Sequence, residues 1–156
     1  MASKKFVNAG KNAMVSGRFG EAYVSYLLVK RRIVDVVPAN TAGFDLFAID
    51  KKGKTFTKNK IVGISVRTRM HQSRFPLSSK KLARAAKTWG IEPWIAVVSR
   101  HYSAILAPLK NAKKLRGRFK INRHRKKDSD SVSIPLLKEY KSTIILSEPK
   151  ETRTKN

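Results

Sequence analysis

The chain of 156 residues carries 35 lysines and arginines against 10 aspartates and glutamates, a formal charge of +25, with 41% apolar content. That length suits one compact domain with its own core, while a charge of this size should repel itself unless a polyanion shares the surface. The absence of cysteine excludes disulfides, thiolate-zinc sites and cysteine catalysis together.

The amino-terminal text "MASKKFVNAGKNAM" is basic and lacks the apolar stretch of a secretory signal, which points to an intracellular protein. Residues 1–16 read as a basic arm. From Gly17 the pattern becomes helical: Phe19, Tyr23, Tyr26 and Leu27 recur at helical spacing, and positive charge at Arg31 and Arg32 suits the helix end. "IVDVV" reads as a β-branched strand closed by Pro38, and "FDLFAI" as a second strand, apolar except for Asp45. "KKGKTFTKNK" is expected to be a polar, lysine-rich hairpin loop that does not pack. In "IVGISVRT", Val62, Ile64 and Val66 fall on one strand face and Gly63, Ser65 and Arg67 on the other.

"PLSSKKLARAAKTWG" predicts a helix capped near Ser78 or Ser79, with Leu82, Ala85, Ala86 and Trp89 inward and Gly90 at its end. "PWIAVVS" and "SAILAPL" follow as short apolar strands. Residues 110–127 form a basic insertion, read as a loop or weak helix that orders on a polyanion. "STIILS" is a last strand and 148–156 a disordered tail. Residues 17–147 thus form a single α/β domain, with a mixed sheet between helices. No apolar run reaches the roughly 18 residues of a spanning helix, and the basic runs face no long apolar stripe. Nucleic acid, not a membrane, is the expected partner.

A hairpin over Phe44–Thr68 sets Asp45 opposite Ser65 or Arg67, so a carboxylate, a hydroxyl and a guanidinium share one end of the sheet. Glu21 lies in "GRFGEAYV", which opens the predicted helix. The order of these residues resembles the PD-(D/E)XK nuclease superfamily, most closely archaeal Holliday junction resolvases and small homing-type endonucleases. The resemblance spans about residues 17–107 and implies a restriction-endonuclease-like αβββαβ core. Glu21 matches the family's helix glutamate, Asp45 its strand aspartate, and "SVRTR", Ser65 to Arg69, takes the place of Glu-X-Lys.

The resemblance implies a Mg²⁺- or Mn²⁺-dependent DNA endonuclease with Asp45 and Glu21 as metal carboxylates and Ser65 and Arg67 completing the catalytic set. It also implies duplex or branched DNA as substrate and a homodimer or higher oligomer. Hard cations take carboxylate oxygens, and a bound cation polarises the phosphoryl group and acidifies water. Two departures stand out. Ser65 supplies a neutral hydroxyl where a carboxylate or amide belongs, and Arg67 replaces the lysine and stays protonated, so it stabilises charge without acting as a base. A backbone carbonyl, or a lysine such as Lys58 or Lys60, is one way to make up the loss; decay to a binding scaffold is another.

Other readings compete with each assignment. Asp45 can serve a turn after Gly43 or simply pair with Arg67; Glu21 can favour the helix dipole; Asp35 and Asp50 read as solvated strand ends. His71, His101 and His124 lack metal-ligand spacing. Arg69, Arg74, Lys80, Lys81, Arg116, Arg118, Arg123 and Arg125 are the candidate phosphate contacts. The alternative function is a non-catalytic nucleic-acid-binding protein, either a decayed nuclease fold or a basic protein associated with RNA or the ribosome.

Overall fold

The computed structural model describes residues 4–30, 34–41, 43–69, 74–99, 103–114, 116–118, 130–140 and 142–147. Helix α1 (Lys4–Lys30) precedes three strands, β1 (Val34–Thr41), β2 (Phe44–Asp50) and β3 (Ile61–Arg69). A short strand β4 (Arg74–Leu77) leads to α2 (Ser79–Trp89), then β5 (Glu92–Ser99) and β6 (Ser103–Pro108). The remaining elements are α3 (Leu109–Lys114), β7 (Arg116–Arg118), β8 (Asp130–Ser133), α4 (Ile134–Lys138) and β9 (Ile144–Ser147).

Six strands form the main sheet in the order β1-β2-β3-β5-β6-β9. The β3–β5 pair is parallel and the other pairings are antiparallel. The expected mixed sheet and αβββαβ order are therefore present. A parallel pair needs a crossover, and α2 supplies it between β3 and β5. On one face, Val24, Leu27 and Leu28 of α1 pack with Leu46, Ala48, Val62, Ile64 and Val66. On the other, Leu82 and Ala86 of α2 join Phe44, Ile95, Val97, Leu109 and Leu137. Strand β5 is buried from Trp94 onward because helices cover both its faces. Among the described residues no helix is long and apolar enough to cross a membrane.

Several expectations need correction. Helix α1 begins at Lys4, so much of the predicted arm continues the helix. Its text is rich in lysine and alanine, which favour helix, and holds no proline to stop it. Glu21 therefore sits well inside α1, and the first-turn dipole rationale does not apply. Phe19 and Tyr26 are exposed, and the inward stripe falls instead on Val24, Leu27 and Leu28.

Strand β1 runs through Pro38 to Thr41, with a register shift between those residues. An edge strand tolerates a missing donor. The basic insertion contains α3 and β7, and β7 joins β4 and β8 in a three-stranded sheet that the sequence pattern did not suggest. These strands are too short to show a period. The disordered-tail reading of 148–156 falls outside the described residues.

Trp89 is exposed rather than inward. With Val37, Phe47, Ile49, Ile61 and Ile91 it lines an apolar groove. The C-cap expectation holds: Gly90 is left-handed (φ 63°, ψ 34°), and its N–H donates to the Ala86 carbonyl.

Candidate functional site

In a regular strand, Phe44 and Leu46 would share a face. Here Leu46 packs in the α1-side core and Phe44 in the α2-side core. Two glycines permit this. Gly43 adopts φ +109° against Ala85 of α2, a conformation an L side chain rarely adopts. Gly63 leaves room for the Phe44 ring, which would stand 2.7 Å from any Cβ at that position.

The β2–β3 ladder ends at Leu46–Ile64. Asp45 lies just beyond, where the two strands part. Its Oδ2 accepts the Val66 N–H at 2.6 Å, so a side-chain carboxylate continues the pairing that the β2 backbone has abandoned. Ser65 Oγ donates to the same oxygen at 3.4 Å. Arg67 Nη1 stands 3.8 Å away.

Glu21 reaches this place because α1 packs closely on β3. A Cβ on buried Gly20 would collide with Thr68 Oγ1 and stand 3.3 Å from Val66 Cγ1. The glycine lets the helix approach, and the next residue is the glutamate. Partial burial raises the Glu21 pKa above its ordinary value, the Asp45 charge raises it further, and Arg18 pulls the other way. Two carboxylates held within each other's field form a place that a cation would relieve.

Beyond Asp45, β3 carries two guanidiniums at alternate positions. Arg67 Nη1 donates to the Val66 carbonyl at 2.8 Å, and Arg69 Nη1 donates to the Thr68 carbonyl at 2.7 Å. Burial lowers the Arg69 pKa, and the Arg67 charge lowers it further. The pair is thus held together against its own repulsion, an arrangement an anion would stabilise.

Asp45, Ser65 and Arg67 of the predicted set therefore meet, and Glu21 lies near enough to feel the Asp45 charge; Ser65 is almost wholly buried and offers only a neutral oxygen. Lys58 and Lys60 cannot join it. Asp50, not Asp45, lies at their end of β2, and five residues of strand span about 17 Å, well beyond a lysine side chain. Among the described residues, no group of three or more His, Asp or Glu side chains could hold a metal ion. What is present is a pair of carboxylates, whose oxygens are the ligand type that hard divalent cations take.

Of the candidate phosphate contacts, Arg74, Lys80 and Lys81 are exposed on β4 and the first turn of α2. Arg116 and Arg118 belong to β7, in the same small sheet as β4. Arg123, Arg125, His71, His101 and His124 lie outside the described residues.

No family model and no curated protein sequence matches the chain. A solved structure does: Hjc, a Holliday junction resolvase from the archaeal hyperthermophile Archaeoglobus fulgidus, is similar over 78% of this chain and 87% of that one, with a TM-score of 0.55 and 14% identity. The fold is like that of the resolvase. At that identity the likeness concerns the backbone arrangement. The mixed sheet with flanking helices is shared.

One carboxylate was misread from the sequence. Asp50, expected to be a solvated strand end, is fully buried. Its carboxylate accepts the backbone N–H groups of Lys52, Gly53, Thr55 and Phe56. The text "DKKG" carried a signal for this, since aspartate shortly before a glycine commonly accepts from the turn it opens. Asp35 is a solvated strand end as expected, paired at 2.6 Å with Lys51.

Proposed function

We propose that the protein is a divalent-metal-dependent endonuclease that hydrolyses phosphodiester bonds in duplex or branched DNA, in the manner of a resolvase or a homing-type enzyme. The observation that supports this best is the convergence of Glu21 and Asp45 where β2 and β3 part, with Arg67 and Arg69 on the strand beside them. Asp45 and Glu21 would hold Mg²⁺ or Mn²⁺, which supplies charge for the phosphoryl oxygens and a more acidic water. Arg67 and Arg69 would grip the phosphate and offset the negative charge that grows on it. Arginine remains protonated, so the proton of the attacking water passes to solvent or to the phosphate rather than to residue 67. Cutting both strands takes two such sites, hence the proposed homodimer or higher oligomer.

The second reading, a nucleic-acid-binding protein without cleavage, is favoured by one feature of the same site. Arg67 stands 3.8 Å from the carboxylate a metal would need, and Ser65 occupies the place of a second acid. RNA belongs to this reading as an alternative ligand.

The test is incubation with labelled duplex and four-way-junction DNA in Mg²⁺, Mn²⁺ or EDTA, beside a folded Asp45→Ala variant. Metal-dependent cutting that the variant loses supports the nuclease, and the preferred substrate separates a resolvase from a duplex cutter. Tight binding in EDTA with no cutting in either metal would replace it with the binding protein.

A further inference from the structure

The loop between β2 and β3, residues 51–60, was expected to be too polar to pack, and it is anchored instead. Asp50 Oδ1 accepts the N–H groups of Lys52 at 2.9 Å and Gly53 at 2.8 Å, and Oδ2 accepts those of Thr55 at 2.5 Å and Phe56 at 3.0 Å. Phe56 is buried and meets Trp94 edge-on, with ring centroids 4.9 Å apart. The loop closes on itself where Asn59 N–H donates to the Asp50 carbonyl at 2.9 Å, with Asn59 at φ 58° and Gly53 at φ 69°.

From this fixed backbone Lys51, Lys52, Lys54, Lys58 and Lys60 all project into solvent. Among the described residues, Lys51 alone of the five has a carboxylate partner, Asp35. Four cations are thus set close together on a loop whose shape is held by a buried aspartate and a buried phenylalanine. A loop serving only solubility needs neither anchor. Lysines on an ordered backbone lose less freedom when a polyanion binds them.

We propose that residues 51–60 form a second, preordered contact surface for the phosphate backbone of a double helix, separate from the carboxylate site. The proposal rests on the reading of the chain as a DNA-binding protein. The loop and Asp45 lie at opposite ends of β2, about 17 Å apart along the strand. That corresponds to about five base-pair steps of 3.4 Å. A duplex lying along β2 and β3 spans both, with the loop gripping phosphates several steps from the bond held at Arg67. Because the loop cannot reach the carboxylates, it sets affinity and the length of DNA covered, not the chemical step.

The experiment measures binding against salt concentration for the wild-type chain and for a variant with Lys52, Lys54, Lys58 and Lys60 all changed to glutamine. These side chains are exposed and the Asp50 and Phe56 anchors are kept, so the variant should fold. Each phosphate contact contributes about 0.9 to the slope of log affinity on log salt, so the slope should fall by about 2 to 4 on a long duplex. On a duplex too short to cover both ends of β2, which cannot engage the loop and the carboxylate site at once, the difference in slope should be smaller. Metal-dependent cleavage at saturating protein should be equal for the two.

An unchanged slope on long duplex, with wild type still binding, overturns the loop proposal and leaves the DNA reading standing. A wild-type protein that does not bind DNA overturns both. Loss of cleavage at saturation would place the loop in the chemistry and overturn its separateness. Vesicles of phosphatidylserine and phosphatidylcholine supply the contrasting arm: a variant that loses vesicle binding but keeps its DNA slope would make the loop a membrane contact instead.

Discussion

Replacing Asp50 with alanine should destabilise the protein by about 3 kcal/mol, through a loop that no catalytic argument would single out. The carboxylate accepts four backbone N–H groups. Lys52 and Gly53 are exposed, so water replaces their partner at little cost. Phe56 is buried and Thr55 half-buried, and their N–H groups would be stranded. A stranded donor costs about 1–3 kcal/mol, so two cost about 2–6 kcal/mol. Removing a buried charge recovers part of its desolvation cost, which favours the lower half of that range.

For a chain of this size, a loss of about 3 kcal/mol lowers Tm by about 6–12 °C. Urea unfolding followed by tryptophan fluorescence reads the loss, and hydrogen exchange at the Phe56 amide localises it. The effect also depends on pH with a definite sign. Burial opposes ionisation of Asp50, but the four donors outweigh it and hold the pKa below 3.8. The ionised form is therefore favoured by folding, so its contribution is complete above 3.8 and lost as pH falls through the lower folded value. The difference between wild type and variant should be constant near neutrality and shrink in acid. An unchanged urea midpoint at neutral pH, or a difference that grows on acidification, would refute this account of the loop.

Two further predictions concern the candidate site. Glu21→Gln removes a carboxylate whose pKa is raised by burial and by Asp45; folding therefore disfavours its charged form, and the penalty appears as pH rises from 4.5 through the higher folded value. Without metal the variant should be at least as stable as wild type near neutrality, and it should lose most of the Tm increase that the proposed metal site predicts for wild type in Mn²⁺. A full Mn²⁺-induced shift in the variant would remove Glu21 from the proposed metal site. Gly20→Ala puts a methyl group against Thr68 and Val66 and should cost about 1–3 kcal/mol, typical of overpacking, while weakening Mn²⁺ binding because α1 is pushed from β3. Calorimetric titration with Mn²⁺ beside thermal melts checks both effects, and unaltered affinity in a destabilised variant would detach the helix spacing from the site.

The main architecture was legible in the sequence because it rests on local periodicity. The alternation in "IVGISVRT" and the apolar runs of "FDLFAI", "PWIAVVS" and "SAILAPL" correspond to the strands β3, β2, β5 and β6. The helix before Gly90 announced itself by its capping glycine. What escaped was short or non-local. Strands β4, β7 and β8 are three or four residues long, too few for a period to register. Asp50 looked like any charged strand end until the loop folded back over it.

The residue types of the candidate site, Glu21, Asp45, Ser65 and Arg67, were set by the sequence together with their order, and so was the excess of positive charge. Their meeting was a tertiary event. It depends on Gly20 letting α1 approach β3, and on Gly43 and Gly63 allowing Phe44 to cross to the opposite core so that β2 and β3 part at Asp45. Periodicity reports which face a residue occupies, because that follows from the backbone repeat. Whether two faces come within reach depends on packing between elements distant in sequence, where the absence of a single side chain decides the spacing.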